Sequence, residues 1–164
     1  MVSLITVAIA VLLIGILLSV FAPYLTPGYL ELDRELVDTG KGVTLPPNSS
    51  VTLEALYVNE SGMTLLFLTN STHDVVKVLL PSGKIYRNST GSMSVQVPVG
   101  RYTLEAVNLL NQSQAMKYYV LLVSGSRLGQ IVGFYDVISN AYLVGIAIGI
   151  VGLVRYVSRR RSKQ

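Results

Sequence analysis

The sequence predicts a membrane protein in which two transmembrane α-helices flank a small extracellular antiparallel β-sandwich of about eight strands. Three observations carry this prediction: an apolar run near each end of the chain, short alternating segments between the runs, and glycosylation triplets confined to the middle. Of the 164 residues, 51% are hydrophobic, a high share for a soluble protein. The predicted segments are a first transmembrane helix, a linker, the sandwich, a second transmembrane helix and a basic tail: 1–22, 23–42, 43–124, 128–155 and 156–164.

The C-terminal apolar run predicts the orientation of the chain. An α-helix needs about twenty residues to cross about 30 Å of hydrocarbon. Counting back from Arg155 therefore predicts a membrane helix over residues 135–154. The tail behind it is rich in arginine and has no acidic residue. Because basic residues beside a membrane helix stay in the cytoplasm, we expect the C-terminus inside the cell.

The N-terminal run, residues 2–21, is uncharged and also about as long as a bilayer is thick. A cleaved signal peptide is the alternative to a retained helix. No basic residue precedes the run, and the plausible cleavage after Ala22 would leave Pro23 directly behind it. We therefore expect a retained helix, both termini in the cytoplasm, and the central domain outside the plasma membrane.

Between the two runs the sequence changes to short apolar segments separated by turn residues. Several segments alternate as half-buried strands do, with Val51, Leu53, Ala55 and Tyr57 predicted on one face. Turns recur about every eight to twelve residues, which favours an antiparallel sandwich. The predicted strands are 43–45, 51–58, 63–69, 74–80, 84–87, 93–97, 101–107 and 116–123.

Five asparagines of this middle segment stand in Asn-x-Ser/Thr triplets, each at a predicted turn. They are Asn48, Asn59, Asn70, Asn88 and Asn111. Asparagine and serine also favour turns for local reasons, which is the alternative explanation. The number of triplets nevertheless predicts N-linked glycans and therefore an outward-facing domain. A glycosylated outer domain without cysteine suggests an archaeal cell surface, since eukaryotic secreted proteins tend to use disulfides.

Small residues recur on one face of each predicted membrane helix. Ala141, Gly145 and Gly149 are spaced four apart, and Gly15 and Ser19 have the same spacing. Such ridges let a second helix approach closely. The pattern predicts a packing partner, either the other span of this chain or a neighbouring subunit.

Asp136 is an acidic residue near the outer end of the second predicted span. An ionisable group within a membrane is a functional-site hypothesis, here an element of a proton or ion relay. The count from Arg155 places it close to water, so an interfacial carboxylate is the alternative and the one we favour.

The sequence offers little catalytic or metal-binding chemistry. There is no cysteine, and the single histidine, His73, stands beside Asp74 in a predicted turn. Gly83 and Lys84 lack the rest of a phosphate-binding loop, and the acidic linker lacks the spacing of an EF-hand. Apart from the tail, basic and acidic residues balance, which argues against nucleic acid as a partner. We expect no enzyme activity, no cofactor and no metal site.

Three stretches of the middle segment resemble the emp24-like, or GOLD, family: LPPNSSVTLEALYV, VVKVLLPSGKIYRNS and VPVGRYTLEAVNLLNQSQAMKYYVLLV. The matching features are a Pro-x-Gly turn at Pro81, a Gly-x-Tyr strand at Gly100, and Asn108 before the last strand. The resemblance covers residues 43–123 and implies a β-sandwich. Eukaryotic members have a signal peptide, usually a cysteine pair, and a coiled-coil stalk, so their cargo-receptor function does not follow.

These observations predict a non-catalytic accessory subunit of a larger integral-membrane complex, such as a respiratory oxidase or a transport assembly. Its helices would contact lipid and other subunits, and its glycosylated outer domain would cap them. The alternative is a stand-alone cell-surface binding module, either an adhesin or an emp24-like receptor for exported proteins. An enzyme that uses Asp136 or the acidic linker is the third class.

Overall fold

The structure is a computed structural model that describes residues 4–161, apart from the side chains of residues 4, 5, 8, 142 and 159–161. It divides into a helical unit, made of residues up to Leu30 and from Gly129 onward, and a sandwich unit, Glu31–Leu128. The predicted cytoplasmic placement of the two chain ends includes residues 1–3 and 162–164, among them Met1 and Lys163, which lie outside this range. The elements are α1 Leu4–Leu25, α2 Tyr29–Asp38, β1 Lys41–Leu45, β2 Ser50–Val58, β3 Met63–Thr69, β4 Val75–Leu79, β5 Ile85–Thr90, β6 Met93–Val97, β7 Gly100–Val107, β8 Gln114–Ser124 and α3 Gly125–Arg161.

The strands of the described chain form two four-stranded antiparallel sheets, with the orders β1-β8-β3-β6 and β2-β7-β4-β5. Only the β4–β5 hairpin stays within one sheet, and every other connection between consecutive strands crosses from one sheet to the other. Its turn uses Gly83, whose φ of 77° is a conformation that glycine adopts without strain. This arrangement is that of a jelly roll. The predicted β-sandwich is therefore confirmed.

The core lies between the two sheets and follows the alternation of the strands. In β7, Tyr102, Leu104 and Ala106 are buried, while the residues between them face outward. Leu65 and Phe67 of β3 fill the facing side of the core and are fully buried. When apolar and polar residues alternate along a strand, one face of its sheet is buried and the other faces outward.

Strand β2 departs from its predicted pattern. The register of its pairing with β7 shifts between Thr52 and Glu54, which is a β-bulge. Val51 and Leu53 pack against the core as predicted, but Ala55 and Tyr57 are exposed. The prediction for these two residues is wrong because an extra residue in a strand reverses the faces of the residues beyond it.

The helices do not form the predicted pair of flanking transmembrane spans, and that part of the predicted fold class is wrong. Within the described residues, α3 is the one helix that is by itself long and apolar enough to cross a membrane. The N-terminal helix passes the same test only when it is joined to α2 across a bend. Gly28 lies at that bend with a φ of 77°, a backbone conformation that interrupts a helix.

The segment predicted as a linker contains a helix. α1 continues through Pro23 to Leu25, and α2 occupies most of the remaining segment. Leu32 and Leu36 are half-buried, and the acidic residues of α2 face solvent. α2 is therefore an amphipathic helix directly before β1.

Candidate functional site

Within the helical unit, α1 and α3 approach each other at two glycines. A methyl group placed on Gly145 would lie 3.9 Å from the Cα of Gly15 and 3.7 Å from the carbonyl oxygen of Val11. Gly15 and Gly149 are also buried. The structure therefore brings three of the five predicted packing residues to the side on which the helices meet. A glycine at such a contact lets two backbones approach closely.

The other two predicted packing residues, Ser19 and Ala141, are exposed. The Ser19 hydroxyl donates a hydrogen bond to the Ile16 carbonyl oxygen of its own helix, at 2.9 Å. A spacing of four residues drifts around a straight α-helix, because each turn holds 3.6 residues. Some residues of the predicted ridge, here Ser19 and Ala141, therefore lie outside the contact between the helices.

A second contact of the helical unit lies where α1 ends. The rings of Tyr29 and Tyr135 stack with centroids 6.2 Å apart, and the Ile131 side chain packs beside Gly28. Thr26 is buried and donates a hydrogen bond to the Ala22 carbonyl oxygen at 2.8 Å. These contacts hold the turn between α1 and α2 against α3.

Most of the apolar surface of the helical unit has no protein cover. The most apolar window of α3 is only 6% buried, and Leu143 of that helix is 60% exposed. Asp136 is also exposed, and none of the hydrogen bonds or ion pairs between described residues involves it. The structure thus leaves Asp136 at the surface of α3, next to exposed aromatic residues.

In the sandwich unit, Arg127 joins α2 to the start of α3. Its guanidinium donates hydrogen bonds to both carboxylate oxygens of Glu35, at 2.9 and 3.0 Å, and Glu31 lies 3.8 Å away. The hydrogen bonds to Glu35 raise the pKa of Arg127. A bidentate pair fixes geometry well, although at the surface it stabilises by less than about 1 kcal/mol.

Strands β2 and β7, with the β4–β5 turn, line a shallow groove of about 500 Å³, which we name the Tyr57 groove. Tyr57 is 65% exposed, and the Arg101 guanidinium lies 5.9 Å from the centre of its ring, a cation–π contact. Within the described chain, Arg101 has no ion-pair partner. The lining residues are Ala55, Leu56, Tyr57, Pro81, Arg101, Tyr102 and Thr103.

The sandwich has two ends, which we name by the path of the chain. The junction end is the end at which β1 begins and β8 ends, and the far end is opposite. Asn108 is fully buried at the far end and ties its loops together. Its amide donates to the carbonyl oxygens of Leu45, Pro46 and Gln112 at 3.2, 3.0 and 2.8 Å. Its own oxygen accepts a hydrogen bond from the Leu110 amide at 2.9 Å.

Asp74 is the second buried polar residue of the far end, directly before β4. It is 1% exposed, and neither of its carboxylate oxygens has a hydrogen-bond partner among the described residues. His73 beside it is exposed, and its backbone amide donates to the Ser71 hydroxyl. The two neighbours thus differ in environment and do not form a dyad.

Three of the five predicted glycosylation residues, Asn48, Asn70 and Asn111, lie in far-end loops. The Asn48 amide donates a hydrogen bond to the side-chain oxygen of Asn111. Asn59 lies in the β2–β3 loop at the junction end. Asn88 lies within β5, so its predicted position in a turn is wrong.

Comparisons with known proteins show likeness in structure only. No model of a known family matches the sequence, and no curated protein sequence matches it. The structure resembles PirA, with 11% identity, a TM-score of 0.39, and 51% of this chain and 94% of that chain covered. It resembles a mutant of PliG-Ec, a periplasmic inhibitor of g-type lysozyme from Escherichia coli, with 12% identity, a TM-score of 0.40, and 51% and 86% covered.

It also resembles a cupin domain from Bordetella pertussis Tohama I, with 13% identity, a TM-score of 0.29, and 52% of this chain and 80% of that chain covered. At such low identities and TM-scores, none of these likenesses implies a shared activity. The resemblance to the GOLD family stays a prediction.

Sequence reasoning missed the Tyr57 groove and the ion pair between Arg127 and Glu35. The groove depends on the bulge in β2, which has no glycine or proline to mark it. Arg127 and Glu35 are 92 residues apart in the chain, and only the tertiary fold brings them together. Among the described residues, no group of three His, Cys, Asp or Glu side chains could hold a metal ion.

Proposed function

We propose that the protein is a non-catalytic accessory subunit of a larger integral-membrane complex. In this proposal α3 crosses the plasma membrane, its basic tail lies in the cytoplasm, and the jelly roll lies outside the cell. The outer domain, which carries N-linked glycans, caps or stabilises the partner subunits. A respiratory oxidase or a transport assembly is the kind of complex that we expect.

The observation that carries the proposal is the uncovered apolar surface of the helical unit. α3 is exposed on most of its circumference, and α1 also exposes large side chains such as Leu13 and Leu17. Apolar surface in water costs roughly 25 cal/mol for each Å². Lipid or the helices of other subunits would remove that cost. The close contact at Gly15 and Gly145 supports helix packing as the way in which this unit assembles.

Purification from the native membrane in a mild detergent tests the proposal. We expect the protein to resist extraction with alkaline carbonate and to migrate with other membrane subunits in fixed stoichiometry. As a control, the sandwich unit alone, Glu31–Leu128, lacks α1 and nearly all of α3 and should be absent from the membrane fraction. A full-length protein that purifies as a monomer or simple homodimer contradicts the proposal.

The second candidate is a stand-alone cell-surface binding module, and the Tyr57 groove favours it. Exposed tyrosine and arginine side by side are residue types enriched where proteins bind each other. The predicted GOLD resemblance belongs to the same candidate. If this candidate is correct, the double variant Tyr57→Ala, Arg101→Ala should no longer capture an exported protein. The wild-type protein itself should not co-migrate with membrane subunits.

A further inference from the structure

A second groove, of about 490 Å³, runs along β1 and β8, and we name it the β1–β8 groove. Two small residues of its floor, Gly42 and Ala115, lie on the outer surface of the sheet opposite Lys117 and Thr44. Nothing lies within 4 Å of the position that a Cβ of Gly42 would occupy. The lining residues are Gly40, Lys41, Gly42, Val43, Thr44, Asn70, Ala115, Met116 and Lys117.

Asn70, the residue of one glycosylation triplet, belongs to this lining. It extends the pairing of β3 with β8 by one residue, since its backbone amide donates to the Lys117 carbonyl oxygen at 3.2 Å. Its side-chain oxygen accepts a hydrogen bond from the Lys117 amide at 2.8 Å. These two bonds hold the carboxamide in one orientation and leave its nitrogen, the atom that bears an N-linked sugar, without a protein partner among the described residues.

We propose that the β1–β8 groove seats the first sugars of an N-linked glycan attached to Asn70. The inference rests on the outward placement of the sandwich in the proposed function. The groove has the volume of a small-molecule site. Thr44 lines it with a hydroxyl group that can bind sugar hydroxyl groups, and the small residues Gly42 and Ala115 leave room for the rings.

Lys117 does not fill the groove with its own side chain. Its ammonium lies 5.3 Å from the centre of the Tyr119 ring, two residues along β8 toward the junction end. The side chain therefore leans away from Ala115 and Thr44. This cation–π contact leaves the part of the groove nearest the far end open.

The triplets of Asn48 and Asn88 lack this combination. The side-chain nitrogen of Asn48 already donates to Asn111. Asn88 lies on β5 at the edge of the other sheet. Neither lines the Tyr57 groove or the β1–β8 groove. Of Asn48, Asn70 and Asn88, only Asn70 has a carboxamide that is held by hydrogen bonds beside an open groove.

The test uses full-length protein from its native host, with glycopeptide mass spectrometry and thermal unfolding. Thr72→Ala removes the triplet but keeps Asn70 and its hydrogen bonds. We expect it to lower the Tm by about 5 °C, since seated sugars stabilise only the folded domain. Thr90→Ala removes the Asn88 triplet as a matched control and should change the Tm by less than about 1 °C. Both variants and the wild type are also made without glycosylation. The Tm change that each substitution causes in the unglycosylated protein is subtracted from its change in the glycosylated protein.

A second variant fills the β1–β8 groove and leaves the Asn70 glycosylation triplet unchanged. Gly42→Val places a side chain in the groove at a position with free space, so we expect it to fold. In this background Thr72→Ala should no longer lower the Tm. The inference is overturned if the wild-type protein carries sugar on Asn70 and the Thr72→Ala variant nevertheless has the same Tm as the wild type.

The peptide map separates the inference from the proposed function. Sugar on Asn59 or Asn88 with a bare Asn70 overturns the seat while the outward placement stands. A chain without sugar at any triplet overturns the seat and also removes the glycan support for the outward placement. Sugar on Asn70 together with the expected Tm shift supports both.

Discussion

Replacing Asn108 with alanine removes the side chain that joins the β1–β2 and β7–β8 loops at the far end of the sandwich. The wild-type amide makes three donated contacts and one accepted hydrogen bond, all to backbone groups, and it is fully buried. An amide has only two hydrogens, so two of the donated contacts share one. The truncation therefore removes about three net hydrogen bonds at roughly 1 kcal/mol each and leaves buried carbonyl groups unpaired.

We expect the variant to lose about 3–4 kcal/mol of unfolding free energy, a large part of the stability of a small domain. With a urea dependence of about 2 kcal/mol per molar, the unfolding midpoint should fall by roughly 2 M. The assay is urea unfolding of the full-length protein in a mild detergent, followed by tyrosine fluorescence. The chain has no tryptophan, and several of its tyrosines lie in the sandwich.

Two further variants make the test specific. Leu109→Ala alters an exposed side chain in the same loop and should change the unfolding free energy by less than about 0.5 kcal/mol. Asn108→Asp keeps the size of the side chain but turns a carboxylate toward three carbonyl oxygens, so it should be at least as destabilising as alanine. A loss below about 1 kcal/mol for Asn108→Ala refutes the reasoning.

Three other predictions follow from the two units. The chain has no cysteine, so Val11→Cys with Gly145→Cys should form a disulfide under oxidation and Val11→Cys with Gly133→Cys should not; equal yields contradict the helix contact. Asp74→Asn replaces a buried carboxyl group that has no hydrogen-bond partner among the described residues and should raise the urea midpoint, by about 1 kcal/mol in unfolding free energy; a lower midpoint means that the carboxyl group has a partner. Burial raises the pKa of Tyr102 and Tyr118. Folding therefore favours their neutral forms, so stability should be complete below about pH 10 and fall as the pH rises further; a constant urea midpoint through the absorbance change of phenolate formation contradicts this.

The strands were predictable because their information is local. Each predicted strand has a counterpart in the structure, and β3 and β6 have the predicted bounds. The alternation in β7 predicts which of its residues are buried, since side chains of a strand point to opposite faces. Such a pattern can be read without knowledge of the partner strand.

The errors occur where long-range contacts override the local pattern. The bulge in β2 is set by its pairing with β7, so the exposure of Tyr57 could not be read from β2 alone. α2 lies in a segment whose acidic residues and flanking Pro and Gly suggested a linker. The bend at Gly28 divides it from α1, and a count of apolar residues does not detect such a bend.

The candidate sites divide in the same way. The asparagine triplets are motifs of three residues and could be located from sequence, but their surroundings could not. Asn70 lies beside a groove, whereas Asn88 lies in an edge strand, although both triplets read Asn-Ser-Thr. The small-residue pattern indicated Gly15 and Gly145, yet it also included Ser19, which faces away from the contact.

By itself, the sequence determined the sandwich, the position of most strands and the long apolar helix near the C-terminus, because periodicity and hydrophobicity are properties of neighbouring residues. The tertiary structure alone decided the order of strands in the sheets, the partners of buried polar groups such as Asn108, and the shape of the grooves. These features depend on pairing between residues far apart in the chain. Burial and hydrogen bonding select one arrangement among many that the same local pattern allows.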